Sequence, residues 1–99
     1  MSPETGEPSW RIRDGAVFRE LDGEAVILNL DTGIYFGLNA VGTAIWQLVE
    51  QLCQAGAVAD ALTHRYDVTR ERAHDDVIAL MTQLVAKGLA EPVDEGSRS

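Results

Sequence analysis

Apolar and polar positions in the first part of the chain follow the pattern of β-strands. Three short runs are rich in β-forming residues: Ala16–Leu21, Glu24–Leu30 and Ile34–Leu38. Turns containing Gly23 and Gly33 separate the runs, and glycine readily adopts the positive φ that tight turns require. Strands joined by such short turns lie antiparallel. The pattern therefore predicts a three-stranded antiparallel meander in which the third strand is an edge.

After Asn39 the apolar positions take up the period of an α-helix. Asn39 is a good N-cap, and a helical stripe follows it at Val41, Ile45, Leu48, Val49 and Leu52. The next apolar residues indicate a short helix from Val58 to Tyr66, with Gly56 ending the preceding element or the connection that follows it. Thr69 can cap a third helix that runs to Lys87, with Gly88 at the left-handed stop position. The predicted fold is α+β and winged helix-turn-helix-like, with a three-stranded antiparallel sheet followed by three helices.

The third helix carries more apolar surface than one packing contact requires. One strip contains Ala73, Val77, Leu80 and Leu84, and the adjoining strip contains His74, Ile78, Met81 and Val85. Together they span roughly 160° of the helix, whereas packing on a single core needs about 100°. Either both strips are buried, or part of the second strip lines a groove.

Length and charge narrow the classes of function. The chain has 99 residues, 16 of them acidic and 8 basic, for a net charge of −8. Residues 1–9 and 94–99 read as flexible tails, which leaves residues 10–93 as a single domain. The negative charge repels phosphate backbones and anionic lipid, so no nucleic-acid or membrane partner is expected. The sequence shows no signal peptide, and a cytoplasmic location is expected.

The sequence does not predict an enzyme. Cys53, His64 and His74 do not reproduce a metal-ligand spacing, and we interpret Cys53 as a small half-buried apolar residue. No nucleophile elbow, phosphate loop or dinucleotide fingerprint is present. We therefore expect no catalytic residue, no metal and no cofactor.

Three non-catalytic interpretations remain open. The helix-turn-helix spacing suggests a DNA-binding or transcription-associated regulator, although the third helix begins with two basic residues against three acidic ones. The edge strand Ile34–Leu38 lacks the Pro, Lys or inward charge that usually protects an edge, so it can accept an extended peptide as a fourth strand. The same edge can instead be covered by a tail of the chain or by a second copy.

The segments Gly33–Asn39, Gly42, Ala44–Trp46, Tyr66–Val68, Asp76–Val77 and Gly88–Leu89 follow one another in a familiar order. This pattern, which extends over about residues 16–90, resembles that of PqqD-like proteins. These are the leader-peptide recognition domains of ribosomally made, post-translationally modified peptides. The stand-alone length, Trp10 and the Ala44–Trp46 segment are most similar to the leader-binding protein of lasso-peptide biosynthesis.

The resemblance implies that a leader peptide binds antiparallel to the third strand, in a cleft against the third helix. By position, the strand contacts would be Ile34, Tyr35, Phe36 and Gly37, and the helix contacts would be Asp76, Val77, Leu80, Met81 and Leu84. It also implies a processing enzyme as partner. This enzyme would be a separate leader peptidase of the cysteine-protease type or, in other branches, a radical enzyme.

Overall fold

The computed structural model describes residues 8–93. In chain order the elements are β1 (Trp10–Ile12), β2 (Ala16–Leu21), β3 (Glu24–Asn29), β4 (Tyr35–Leu38), α1 (Ala40–Leu52), α2 (Ala55–Arg65), α3 (Arg70–Ala86) and β5 (Ala90–Pro92). The predicted α+β order of three strands followed by three helices is confirmed by β2 to α3. Two short strands at the ends of the domain, β1 and β5, were not predicted.

The main sheet has the strand order β2-β3-β4, and both pairs are antiparallel. Asp22 and Gly23 join β2 to β3 with φ values of 57° and 83°. Two consecutive positive φ values are characteristic of the two-residue hairpin turn whose twist matches that of the strands. The meander predicted from the sequence is therefore correct, with β4 starting at Tyr35 rather than at Ile34.

Helix α1 packs on the inner face of this sheet. Phe18 of β2 stacks on Trp46 of α1, with ring centroids 5.9 Å apart and planes 3° from parallel. Asn39 caps the helix as predicted, since its Oδ1 accepts a hydrogen bond of 2.8 Å from the Gly42 N–H. The stack and the cap together fix the position of α1 directly after β4.

The ends of the domain are joined by a second sheet. Strands β1 and β5 pair antiparallel, and the Trp10 N–H donates to the Cys53 carbonyl at 3.0 Å. Ser9 is buried and forms a bridge with Gln54, so its assignment to a flexible tail is wrong. The pairing of β1 with β5 joins residues that are distant in sequence, so no local periodicity of apolar residues predicts it. Residues 1–7 and 94–99 of the predicted tails lie outside the described residues.

Two local expectations in the helical part are also wrong. Gly56 does not end an element, because it is buried in the first turn of α2, which starts at Ala55. Cys53 is exposed rather than half-buried. Its φ of 67° ends α1 at Leu52 and turns the chain directly into α2. The connection between α1 and α2 is therefore shorter than the position of Gly56 indicated.

Candidate functional site

The β4 edge of the main sheet has no neighbouring strand among residues 8–93. The Asn29 N–H donates to the Ile34 carbonyl at 2.9 Å, which makes residues 29 and 34 a hydrogen-bonded pair. Such pairs alternate along an antiparallel ladder. The backbone groups of Phe36 therefore point towards β3, and those of Tyr35 and Gly37 point outwards. Two N–H and two C=O groups are thus available at this edge.

Helix α3 lies close to both ends of β4. At the start of the strand, Asn29 Nδ2 donates to the carbonyls of Lys87 and Gly88 at 3.1 and 3.2 Å. At the end of the strand, an open groove of about 390 Å³ lies between the start of α1 and the middle of α3. It is lined by Asn39, Val41, Gly42, Ile45, Asp76, Ala79, Leu80 and Gln83. Helix α3 therefore runs alongside β4 in the opposite direction.

We call the free edge Tyr35–Leu38 together with the adjoining groove, which Asp76, Leu80 and Gln83 line on the helix, the β4–α3 cleft. Its surface is mixed. Phe36 and Leu80 are half-buried and pack against the core, and Asp76 lies 3.7 Å from the Arg72 guanidinium. An extended peptide would therefore find apolar side chains beside a free backbone edge and a few polar groups at the rim.

A small apolar pocket extends the groove towards the connection between α2 and α3. It has a volume of about 90 Å³ and is lined by Val41, Leu62, Tyr66, Val68, Ala73 and Asp76. Val41 and Asp76 also line the larger groove, so the two spaces lie next to each other. Val41, Tyr66 and Val68 were not among the residues expected at the site, since helical periodicity assigned Val41 to a buried stripe. The signals in the sequence were the position of Val41 next to an N-cap and that of Tyr66–Val68 in a turn that is part of the family pattern.

The structure brings together part of the predicted site. Asp76 and Leu80 line the groove, Tyr35, Phe36 and Gly37 lie on the free strand edge, and Ile34 is exposed just before β4. Val77, Met81 and Leu84 are fully buried in the core, so in this structure they offer no surface to a peptide. The physical reason is direction: these three side chains point from α3 into the core of the domain.

The same geometry corrects the interpretation of the α3 surface. The buried strip consists of Ala73, Val77, Met81 and Leu84, so Met81 and Leu80 exchange places relative to the predicted strips. The groove lies on the flank of Asp76, Leu80 and Gln83. The flank with His74, Ile78 and Val85 is half-buried and does not line it. Of the two alternatives left open by the sequence, neither describes α3 fully: the two strips are buried only in part, and the strip residue that lines the groove, Leu80, belongs to the first strip.

The start of α3 does not form a basic surface. Arg70 Nε lies 2.6 Å from Asp60 Oδ1, and Arg72 pairs with Asp76 one turn later. Reading of a DNA groove depends on cationic side chains that are available to phosphates. Within residues 8–93, no group of three or more His, Cys, Asp or Glu residues is arranged to hold a metal ion. None of the helices in that range is long and apolar enough to cross a membrane.

Comparison with known families decides the assignment. The sequence model of the family described as coenzyme PQQ synthesis protein D (PqqD) matches residues 24–90, which is most of the chain. The chain belongs to the PqqD family. The match covers β3, β4 and all three helices, and therefore both sides of the β4–α3 cleft. Comparison with curated proteins gave no match.

Solved structures place this PqqD family member near proteins of lasso-peptide synthesis. It is similar to TbiB1, whose structure is a complex with the TbiA(beta) leader peptide, at 36% identity and a TM-score of 0.78. That alignment covers 86% of this chain and 99% of TbiB1. It is also similar to a lasso peptide synthetase B1 complexed with a leader peptide, at 32% identity and a TM-score of 0.76. There the coverage is 85% of this chain and 99% of the other.

Proposed function

We propose that this PqqD family protein is a non-catalytic module that binds the leader of a ribosomally made precursor peptide. The leader adds to the sheet as a strand on β4, beside α3, and the module presents it to a separate leader peptidase of the cysteine-protease type. The observation that carries the proposal is the free β4 edge, with a groove of mixed apolar and polar lining between α1 and α3 directly beyond its end. Two similar proteins, whose structures contain leader peptides, support it. Because its ligand would be a new ribosomal product, the proposed compartment is the cytoplasm.

Strand addition uses the outward backbone groups of β4. A bound peptide that runs antiparallel to β4 extends the pairing already present in the sheet. Its hydrogen-bonded residues lie opposite Tyr35 and Gly37. The residue between them lies opposite Phe36, and its side chain points to the inner face, towards the cleft. The part of the peptide before this segment passes the groove at Leu80, because β4 ends there.

The regulator alternative has no comparable support. The winged-helix outline is present, but the arginines at the start of α3 pair with Asp60 and Asp76, and the net charge is −8. Phosphate contacts supply most non-specific affinity for DNA. A surface of this charge lacks that contribution.

A random peptide library tests the proposal and does not require the natural precursor. Peptides long enough to cover β4 are displayed and selected on the immobilised protein, and the most enriched one is synthesised and titrated. Replacing Gly37 with Pro removes an outward N–H while keeping every hydrogen bond to β3. We expect Gly37→Pro to weaken binding about tenfold or more, because a backbone bond is lost and the proline ring occupies the edge.

Gly37→Ala is the matched control, since it keeps the N–H and a Cβ there meets no atom within 4 Å. Its affinity should stay within about threefold of the wild-type value. N-methylation along the peptide should weaken binding at two positions separated by one tolerant position, which reveals the register. Failure to enrich any peptide, or equal binding by Gly37→Pro, would contradict the proposal.

A further inference from the structure

The outer face of the main sheet carries a gap directly beside the free edge. Arg19, Val26 and Gly37 lie opposite one another across β2, β3 and β4, so they form one row on this face. Gly37 contributes no side chain, and the space where its Cβ would lie is open. The row therefore ends at the edge in bare backbone, next to a Val26 side chain that is 45% exposed.

An open depression of about 410 Å³ occupies this gap. Its lining includes the apolar side chains of Leu21 and Val26, the backbone of Gly37 and the oppositely charged Arg19 and Glu24. Leu21 is 76% exposed at the tip of the β2–β3 hairpin. The two opposite charges offset each other, so the depression favours an uncharged apolar group over an ion.

Strand addition to β4 brings one peptide side chain to this depression. The peptide residue paired with Gly37, which we call residue X, continues the row Arg19–Val26–Gly37 on the outer face. Because Gly37 has no side chain, no atom of Gly37 separates the side chain of residue X from Val26. A large side chain beside a strand glycine packs on the bare backbone and on the next residue of the row. The neighbouring row ends in Tyr35, which already fills the corresponding position with its own ring.

We infer that the depression is a second specificity subsite, which takes an aromatic or large aliphatic side chain at residue X of the bound peptide. The subsite rests on the proposed function and lies on the opposite face of the sheet from the β4–α3 cleft. With this subsite, side chains of one bound peptide are recognised on both faces of the sheet. The position opposite Tyr35 is less selective, because no comparable gap exists there.

The test uses the most enriched library peptide. Its N-methylation pattern identifies residue X as the first, in chain order, of the two sensitive positions, because the peptide runs antiparallel to β4. Enriched peptides should carry large apolar residues at X and tolerate more residue types at the position opposite Tyr35. Replacing X with alanine should weaken binding to the wild-type protein about five- to tenfold, from the lost apolar contact.

A double-mutant cycle shows whether this loss arises in the depression. Against Val26→Ser, the same alanine substitution should weaken binding less than about twofold, and Leu21→Ser provides a second variant at a largely exposed position. Leu30→Ser is the control, because Leu30 is 61% exposed in the turn before β4. The subsite would be overturned, with peptide binding still intact, by either of two results. One is an equal loss of affinity on alanine substitution at X with the wild type, Val26→Ser, Leu21→Ser and Leu30→Ser; the other is the absence of any residue preference at X. Absence of any peptide that depends on β4 would overturn the proposed function as well.

Discussion

Asn29 illustrates how one buried side chain positions the functional edge. It donates to the carbonyls of Lys87 and Gly88 and accepts from the N–H groups of Asp31 and Thr32 at 2.9 and 3.3 Å. It therefore connects the turn before β4 to the end of α3. Gly88 permits this contact, because its φ is +74° and a Cβ there would lie 3.0 Å from Asn29 Nδ2.

We expect Asn29→Ala to lower the free energy of unfolding by about 2 kcal/mol, because a buried side chain and its four hydrogen bonds to the backbone are lost. Urea denaturation followed by circular dichroism measures the change. Thr32→Ala is the control, since the Thr32 hydroxyl accepts only one exposed bond, from the Ile34 N–H. A loss no larger than that of Thr32→Ala would show that Asn29 does not hold the two elements together.

At the scale of elements, α3 divides its surface between stability and recognition. Met81 is fully buried, whereas Leu80 is half-buried and lines the groove. The two residues are adjacent in sequence but 100° apart around the helix. Substitutions at these positions should therefore separate folding from binding.

Met81→Ala should lower the free energy of unfolding by about 2–5 kcal/mol through the cavity it leaves. The folded protein should still bind the selected peptide within about twofold of the wild-type affinity. Leu80→Ser should cost only about 1 kcal/mol of stability but weaken peptide binding about tenfold, because apolar surface of the groove is lost. Denaturation and titration of both variants check this contrast, with the exposed Thr82→Ser as control. If Met81→Ala weakened peptide binding and Leu80→Ser did not, α3 would not form part of the binding site.

At the scale of the whole molecule, the paired chain ends complete the core. Trp10 is 6% exposed, and its strand joins β5 and the end of α1. Trp10→Ala should lower the free energy of unfolding by about 3–5 kcal/mol. Arg11→Ala is the matched control on the same strand, because Arg11 is exposed and its pairing with Glu91 is a surface ion pair that contributes little to stability. Equal effects in thermal unfolding would show that β1 contributes little to the core.

Much of the fold could be predicted because its signals are local. The turn glycines, the caps Asn39 and Thr69 and the change from a strand to a helix period each depend on a few neighbouring residues. The strand period also places Phe36 and Leu38 on one face of β4 and Tyr35 and Gly37 on the other, in agreement with the burial of Leu38 and the exposure of Tyr35. The β1–β5 pair could not be found this way, because Trp10 and Pro92 meet only after the rest of the chain has folded.

The sequence by itself determined the order of the elements from β2 to α3, the caps of α1 and α3 and the alternation of faces along β4, since these follow from backbone conformation and from periodicity within one element. Tertiary structure alone decided which flank of α3 remains open. A helical period states how residues are arranged around an axis, but not which neighbours pack against them. Burial of Val77, Met81 and Leu84, exposure of the groove at Leu80 and the gap beside Gly37 are consequences of that packing.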